Sequence, residues 1–248
     1  MKNNGSLIYK DYLKLIKKKL ILGSDLLINQ IQPSSVDLSL SDECYEISAS
    51  FLSISGTVRE NLKKVKNKKI NLTKKFLFKK NRTFLVKLNE SLNLSNNIFG
   101  MCNPKSSTGR LDIFCRTILN YSNEYEKIPL NYKGEMFIEI TSRSFDIEFI
   151  KGDSLNQMRL INNNHVYVSD DDLYIIHKNK FLTLDENNNK IKCTIDNGLR
   201  ISVDLSSKNL VSAYVAKKDT PKLSYSKIKF HKKNDFWKSI QTKDNRMV

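Results

Sequence analysis

From residue 83 onward, the sequence is a series of short β-forming runs separated by clusters of Asn, Asp and Gly. Short apolar or alternating runs bounded by turn-forming residues are typical of strands. Many such strands in one domain favour a barrel or a jelly-roll-type sandwich. The pattern therefore predicts a mainly β domain, with strands at Thr83–Leu88, Ile98–Cys102, Glu135–Thr141, Phe145–Ile150, Gln157–Ile161 and His165–Ser169, followed by Leu173–Ile176, Phe181–Leu184, Ile191–Ile195, Leu199–Leu205 and Val211–Val215.

The N-terminal part combines short helices with one early strand. Apolar residues between Tyr9 and Leu22 recur at helical spacing, and Gly23 ends the pattern. The run Ser35–Leu40 alternates with period two, as a half-buried strand does. The charged segment Thr57–Lys66 fits a second, exposed helix.

The overall composition indicates a soluble, cytoplasmic chain. It has 248 residues, of which 40% are hydrophobic, enough for a sizeable core. No apolar run is long enough to cross a membrane, and the N-terminus lacks the apolar core of a signal peptide. The four cysteines are widely scattered, which argues against a disulfide framework.

The formal net charge of +16 has two interpretations. A basic surface attracts polyanions such as nucleic acid or phosphorylated metabolites. However, the excess is mostly Lys spread along the chain beside abundant Asn and Ile, as a general compositional bias would produce. No motif with aromatic residues between basic ones is present, so we favour the compositional reading.

The segment Pro104–Arg110 carries the first chemical signal. Pro104 follows an apolar strand, and three hydroxyl residues and a glycine then lie between Lys105 and Arg110. A turn with this composition can present backbone N–H groups beside two positive charges, which suits a phosphate chain. Ser/Gly segments are more often simple turns, so this segment by itself is weak evidence.

A second signal lies on the predicted strand after Gly134. Alternation places Met136, Ile138 and Ile140 on one face of this strand, and Phe137 and Glu139 on the other. A carboxylate among large apolar neighbours suits general base chemistry. A surface glutamate paired with a lysine is the competing interpretation.

Two further features of the sequence are a predicted turn and the lack of a zinc-binding motif. Gly152-Asp153 forms a turn just before the strand that begins at Gln157. The sequence contains neither a His-x-Glu pair nor a Cys-x-x-Cys motif, so the signature of zinc-dependent deaminases is missing.

Together, these segments resemble the dCTP deaminase and dUTPase superfamily. The Ser-Ser-x-x-Arg motif matches Ser106, Ser107 and Arg110, and the glycine and glutamate about thirty residues later match Gly134 and Glu139. The Gly-Asp-x-x-x-Gln motif matches residues 152–157, and Ile31–Leu40 is similar to the early strand of dCTP deaminases. The match is most specific to a long, two-repeat subgroup and extends from about residue 31 to the C-terminus.

The resemblance implies a dUTPase-like distorted β-barrel and a role for each matched residue. Glu139 would act as general base and proton shuttle, and Ser106 would orient the attacking water. The nucleotide would be bound by the remaining implied residues, which are Lys105, Ser107, Arg110, Lys127 and Gln157. Tyr214 and Lys217 would fold over the phosphates. Mg²⁺ would enter together with the triphosphate.

The sequence also departs from its relatives. Pro129 stands where dUTPases carry an Asp, and their glycine-rich C-terminal motif is absent; both departures argue against pyrophosphate hydrolysis. By comparison with two-repeat relatives we expect an N-terminal helical segment at 1–30, a β domain with its extension at 31–225, and a basic tail at 226–248 leading toward an absent second module.

The leading hypothesis is a zinc-independent dCTP deaminase that forms dUTP and ammonia, with dTTP as a candidate inhibitor. The alternatives are a dUTPase-like hydrolase and a catalytically inactive nucleotide-binding module. Superfamily sites form between subunits or repeats, so we expect either a homo-oligomer or a separate chain that carries the second module. Nucleic acid is the least favoured partner.

Overall fold

The computed structural model describes residues 5–23, 28–95, 97–162, 168–185, 187–201, 211, 213–227 and 229–240. The chain divides into two compact units. The first comprises Met1–His165 and Ala216–Lys238, and the second comprises Val166–Val215 and Ser239–Val248. The predicted boundaries at residues 30 and 225 remain predictions. No helix among the described residues is long and apolar enough to cross a bilayer.

The first unit is built mainly from strands in three sheets. In chain order its strands are β1 (Gly5–Ser6), β2 (Ile21–Leu22), β3 (Val36–Leu38), β4 (Leu40–Ile47), β5 (Lys66–Asn71), β6 (Phe76–Phe78), β7 (Thr83–Asn93), β8 (Ile98–Pro104), β9 (Ile113–Leu119), β10 (Lys127–Ile128), β11 (Lys133–Ser142), β12 (Ile147–Phe149), β13 (Asn156–Asn162) and β15 (Leu223–Ser224). The strands β14 (Ala213–Ala216) and β16 (Trp237–Ile240) lie where the units meet in sequence.

Strand pairing leaves these sheets open. One sheet has the order β1-β13-β8-β10, with β3 also paired to β13. The second has the order β5-β4-β7-β11-β9, with β2 on β7, and the third has the order β15-β12-β6. Apolar side chains from all three sheets, including Ile138, Leu160 and Phe149, form one main core.

The N-terminal helices agree with the sequence pattern, except at one end. Helix α1 spans Tyr9–Lys17, so the predicted helix is too long, and Ile21–Leu22 pairs with β7 instead. Tyr12 fixes α1 to the core because its buried hydroxyl accepts a hydrogen bond from the Leu160 N–H at 2.9 Å. Helix α2 spans Val58–Val65, and Thr57 caps it by accepting from the Glu60 N–H.

Strand β11 is buried on both faces. Met136, Ile138 and Ile140 point into the main core, as the alternation predicts. On the opposite face, Phe137 belongs to a smaller apolar cluster that includes Val58 and Leu62 of α2. Helix α2, which the sequence predicts to be exposed, therefore packs on the outer face of this sheet.

Gly134 permits the start of this strand. Its φ is +153°, and a Cβ added there would lie 2.8 Å from the Tyr132 hydroxyl oxygen. That hydroxyl donates to the carbonyl of Glu135 at 2.7 Å. A side chain at 134 would displace the tyrosine that locks the strand entry, so the backbone there requires glycine.

Among its described residues, the second unit contains one regular helix, α4, at Asp170–Lys180. Predicted strand Leu173–Ile176 is therefore wrong. Ser169 caps the helix and three aspartates occupy its first turn, a combination that stabilises a helix start against the local β propensity. Predicted strands Phe181–Leu184 and Ile191–Ile195 contribute only isolated bridges, Leu184 to Lys190 and Ile195 to Leu199. Much of His165–Ser169 and Leu199–Leu205 lies outside the described residues.

Residues 216–238 complete the first unit. Strand β15 adds to β12 in parallel, with Leu223 beside Ile147. Helix α5 (Lys233–Phe236) then places Phe236 in the core. The ring of Phe145 meets those of Phe236 and Trp237 edge-on, at centroid distances of 5.3 and 5.1 Å. These contacts anchor the segment by apolar burial and edge-to-face ring packing.

We expect Phe145→Ala to destabilise the first unit by about 3–5 kcal/mol, because it removes a fully buried ring and leaves a cavity. Denaturant unfolding measures the change, and limited proteolysis of residues 216–238 reports whether the segment is released. Phe230→Ala is the matched control, since that ring is 65% exposed. Equal stability of the two variants would contradict the anchoring role of Phe145.

Candidate active site

The Ser-Ser-x-x-Arg segment forms a single turn of helix rather than an open turn. Helix α3 spans Ser106–Arg110, and the Thr108 and Gly109 N–H groups both donate to the carbonyl of Lys105. The expected presentation of backbone N–H groups is thus reduced, because these two are used within the turn. The side chains of Ser106, Ser107 and Arg110 are exposed.

One carbonyl anchors this helix to the strand that follows the Gly152-Asp153 turn. The carbonyl oxygen of Leu155 accepts from the Lys105 N–H at 2.9 Å and from the buried Thr108 hydroxyl at 2.8 Å. Thr108, which resembles the other hydroxyl residues of the motif in sequence, therefore has a structural role. The two motifs recognised separately in the sequence are held together at this point.

A cavity of about 600 Å³ opens beside α3. One side is formed by the motif residues and the other by the segment that returns from the C-terminal part of the chain. Basic and hydroxyl-bearing side chains line both sides, and they include Lys105, Ser107, Arg110, Tyr225, Lys227, Lys229 and His231. Several positive charges around one concave surface make it suitable for a polyphosphate.

Tyr225 links the two sides of this cavity. Its hydroxyl lies 2.8 Å from the Ser154 carbonyl, to which it donates, and 3.3 Å from the Thr108 hydroxyl. Its ring packs against Phe149 at a centroid distance of 5.2 Å. Burial raises the pKa of this phenol, so it remains a neutral hydrogen-bonding group.

Asp153 is the acidic residue of the same cavity. Burial raises its pKa to about 6, while the hydrogen bond from the Ile150 N–H acts in the opposite direction. Its neighbour Gly152 has a φ of +92°, which the tight turn requires. Near neutral pH, Asp153 therefore titrates among basic side chains.

A smaller cavity of about 360 Å³ lies on the other side of Lys105 and Ser106. Asp37 and Gln157 line it, at directly paired positions of β3 and β13. Lys105 forms an ion pair with Asp37, and the Ser35 hydroxyl donates to the Gln157 side chain at 3.4 Å. The early-strand motif thus contacts both later motifs.

Glu139 lies away from these cavities, on the face of β11 that α2 covers. The residue is 1% exposed. Its Oε1 accepts from Nε of Arg116, the paired residue on β9, at 3.0 Å. Its Oε2 is also buried and has no hydrogen-bond partner among the described residues. Glu139 does lie among apolar neighbours, and the competing interpretation of a surface glutamate paired with a lysine is wrong.

Three residues that the resemblance implies in nucleotide binding, Lys127, Tyr214 and Lys217, have different surroundings. Lys127 is exposed on β10 and pairs with Glu124 at 2.6 Å. Tyr214 is exposed, and Lys217 donates to the Asn234 carbonyl at 2.6 Å. Lys127 and Lys217, which belong to the first unit, line neither of the cavities that contain Lys105.

Sequence reasoning missed several of the residues that do line the cavities. Asp37 was visible only as part of the Ile31–Leu40 match. Lys229 lies in the segment 226–248 that the sequence predicts as a basic tail, and Tyr225 is the residue just before it. The run Tyr225-Ser226-Lys227, in which a tyrosine lies close to lysines, is the sequence pattern that could have indicated phosphate-binding residues here.

Two family models match this chain. The family model for the 2'-deoxycytidine 5'-triphosphate deaminase (DCD) N-terminal domain matches residues 3–164, more than half of the chain. The model for the C-terminal domain of the same enzyme matches residues 169–248. Among curated proteins, no sequence matches.

Solved structures agree with the family models. The chain is similar to the crystal structure of 2'-deoxycytidine 5'-triphosphate deaminase from Agrobacterium tumefaciens, with a TM-score of 0.88 and 28% identity over 98% of this chain and 72% of that chain. The native dUTPase of EIAV aligns with a TM-score of 0.30 and 18% identity, over 40% of this chain and 78% of that chain. The predicted mainly β fold is confirmed. The predicted barrel is wrong in one respect, because the described sheets are open and do not close on themselves. The chain belongs to the dCTP deaminase family.

Proposed function

We propose that this dCTP deaminase converts dCTP and water into dUTP and ammonia, with Glu139 as the proton shuttle. One observation carries the assignment of Glu139. Its carboxylate is buried, one oxygen is bound by Arg116, and the other is without a hydrogen-bond partner among the described residues. A carboxylate oxygen in this state can accept a proton from a bound water.

The proposed steps balance with one water. Glu139 takes a proton from water as the water oxygen bonds to the amine-bearing ring carbon, and it passes that proton to the adjacent ring nitrogen. It then takes the proton of the new hydroxyl and delivers it to the amine. The carbon–nitrogen bond breaks, ammonia leaves and the carbonyl of uracil remains. Ser106 would orient the water.

The cavity beside α3 supports the proposed binding of the triphosphate, which would enter as its Mg²⁺ complex. Lys105, Ser107 and Arg110 line one side of it. Lys227 and Lys229 add positive charge from the other side. Charge-assisted hydrogen bonds from lysine and arginine to phosphate are among the stronger polar contacts in proteins.

We assign to Tyr225 and Lys229 the role that the resemblance gave to Tyr214 and Lys217. Tyr225 and Lys229 face the α3 motif across the cavity, and Tyr225 is hydrogen-bonded to it through Thr108. Lys217 does not line this cavity and donates instead to the Asn234 carbonyl, and Tyr214 belongs to the second unit. Gln157, in the smaller cavity beside Ser106, would contact the nucleoside.

A second copy of this chain would complete the site. In one chain, Glu139 does not line the cavities that hold Ser106 and Arg110. Glu139 projects from the same face of β11 as Phe137, whereas α3 is anchored through Leu155. A homo-oligomer would bring Glu139 of one copy to the triphosphate cavity of another, as the superfamily resemblance implies.

Zinc is not part of the proposed reaction, because the sequence lacks the motif of zinc deaminases and Glu139 can activate the water itself. Cytoplasmic location is part of the proposal and is compatible with four free cysteines. A dUTPase-like hydrolase is not favoured, since Pro129 replaces the Asp that those enzymes carry.

We expect Glu139→Gln to lower the rate of dCTP deamination by at least about 10²–10⁴-fold, the usual contribution of a positioned acid–base group. Ammonia release measures turnover, and calorimetry should show dCTP affinity nearly unchanged. Glu135→Gln on the same strand face is the control, because Glu135 pairs with Arg59 near the surface. Undiminished turnover by Glu139→Gln would exclude the proposed shuttle.

We expect Arg110→Gln to weaken dCTP binding about 10- to 100-fold, because a charge-assisted phosphate contact contributes roughly 1.5–3 kcal/mol. Binding of deoxycytidine, which has no phosphate, should change little. Lys217→Gln removes a positive charge outside the cavity and serves as the control. Equal losses for dCTP and deoxycytidine would contradict a triphosphate contact.

We expect Arg110→Gln and Glu139→Gln chains to restore activity when they are mixed and assayed at a dCTP concentration too low to occupy the Arg110→Gln site. In an equal mixture of Arg110→Gln and Glu139→Gln chains, about a quarter of randomly assembled interfaces would pair an intact Arg110 with an intact Glu139. Deamination should therefore recover after the mixed chains are unfolded and refolded together. Persistent inactivity of a refolded mixture that forms oligomers would show that each chain uses its own Glu139.

A further inference from the structure

Arg116 is the charged neighbour of the proposed proton shuttle. It lies directly opposite Glu139 in the β9–β11 ladder. Its Nε donates to Oε1 of Glu139 at 3.0 Å, and the Glu139 side chain is 2% exposed. The two carboxylate oxygens therefore have different environments, one bound by a cation and the other without a partner among the described residues.

Aromatic side chains hold the Arg116 guanidinium in place. Its central carbon lies 3.7 Å from the ring centroid of Tyr125 and 5.2 Å from that of Phe114. The Tyr125 hydroxyl donates to the Phe51 carbonyl at 3.3 Å. Stacking on an aromatic face restricts a planar guanidinium in a way that it cannot restrict a lysine ammonium.

This arrangement differs from an ion pair that serves stability alone. Removing two charges from water is costly, and the cost is recovered only when the remaining polar atoms are also satisfied. Here Oε2 of Glu139 is buried without such compensation. By contrast, Arg59 on the same side of the sheet uses several N–H groups and satisfies both oxygens of Glu43 and of Glu135.

We propose that Arg116 is a positioning residue for deamination. It holds Oε1 of Glu139, so that the carboxylate plane is fixed and Oε2 is directed to the attacking water. Tyr125 keeps the guanidinium in register. The inference rests on the proposed role of Glu139.

Arg116→Ala tests this proposal. We expect kcat to fall about 10²-fold, the loss that follows from misplacing a catalytic group, whereas the dissociation constant for dCTP should change less than about threefold. Added guanidinium ion should restore at least a tenth of the lost rate, because it can occupy the vacated space. Arg116→Lys should fall between the alanine variant and the parent chain. Arg59→Ala is the control and should retain the parental kcat.

The double variant Arg116→Ala/Glu139→Gln separates action through Glu139 from an independent effect. If Arg116 acts only by positioning Glu139, the double variant should be no slower than Glu139→Gln. Multiplicative losses would overturn the proposal, as would a folded Arg116→Ala protein with the parental kcat. A loss in kcat that follows thermal destabilisation and is not restored by guanidinium would assign Arg116 to stability alone, against the proposal.

These outcomes distinguish the proposed role of Glu139 from the proposed role of Arg116. Full activity in Glu139→Gln would remove the proposed function of Glu139, whatever Arg116 does. An inactive Glu139→Gln together with a fully active Arg116→Ala would leave the shuttle in place and reject only its positioning by Arg116.

Discussion

The burial of β11 on both faces is the constraint on which the rest of the structure depends. One face contributes Ile138 and Ile140 to the main core, and the other needs a second cover, which α2 provides through Val58 and Leu62. A strand that is enclosed in this way can hold a carboxylate away from bulk water. Glu139 occupies such a position, and its low exposure follows from the architecture rather than from its immediate sequence neighbours.

Much of this architecture is readable from local pattern. The alternation around Glu139 predicts the two faces of β11, and the Ser-x-x-Glu-like start at Thr57 agrees with the observed cap of α2. Strand β5 is harder to predict because its run Lys66–Lys69 is polar and exposed. Lysines are common on edge strands, where they discourage pairing with another chain, so a strand of this kind resembles a surface helix or loop in sequence.

Some features of the candidate site can be predicted from the sequence, and others are shown only by the fold. Spacing and resemblance identify Ser106, Arg110 and Glu139, but they do not show that α3 is anchored through the Leu155 carbonyl. Tyr225 lies 117 residues beyond Thr108 in sequence, and only the return of the chain brings their hydroxyls together. Arg116 is opposite Glu139 because of strand register, which depends on pairing and cannot be read from one strand alone.

The return of residues 216–238 to the first unit has a consequence for the order in which the chain can fold during synthesis. Phe145 leaves the ribosome long before Phe236, whose ring completes its packing. The N-terminal family domain, which ends at residue 164, therefore emerges with an unfinished hydrophobic surface and an incomplete cavity. Because a nascent chain lengthens by about 5–20 residues per second, this surface stays uncovered for several seconds, and the folding of the first unit is completed only after the second unit has been made.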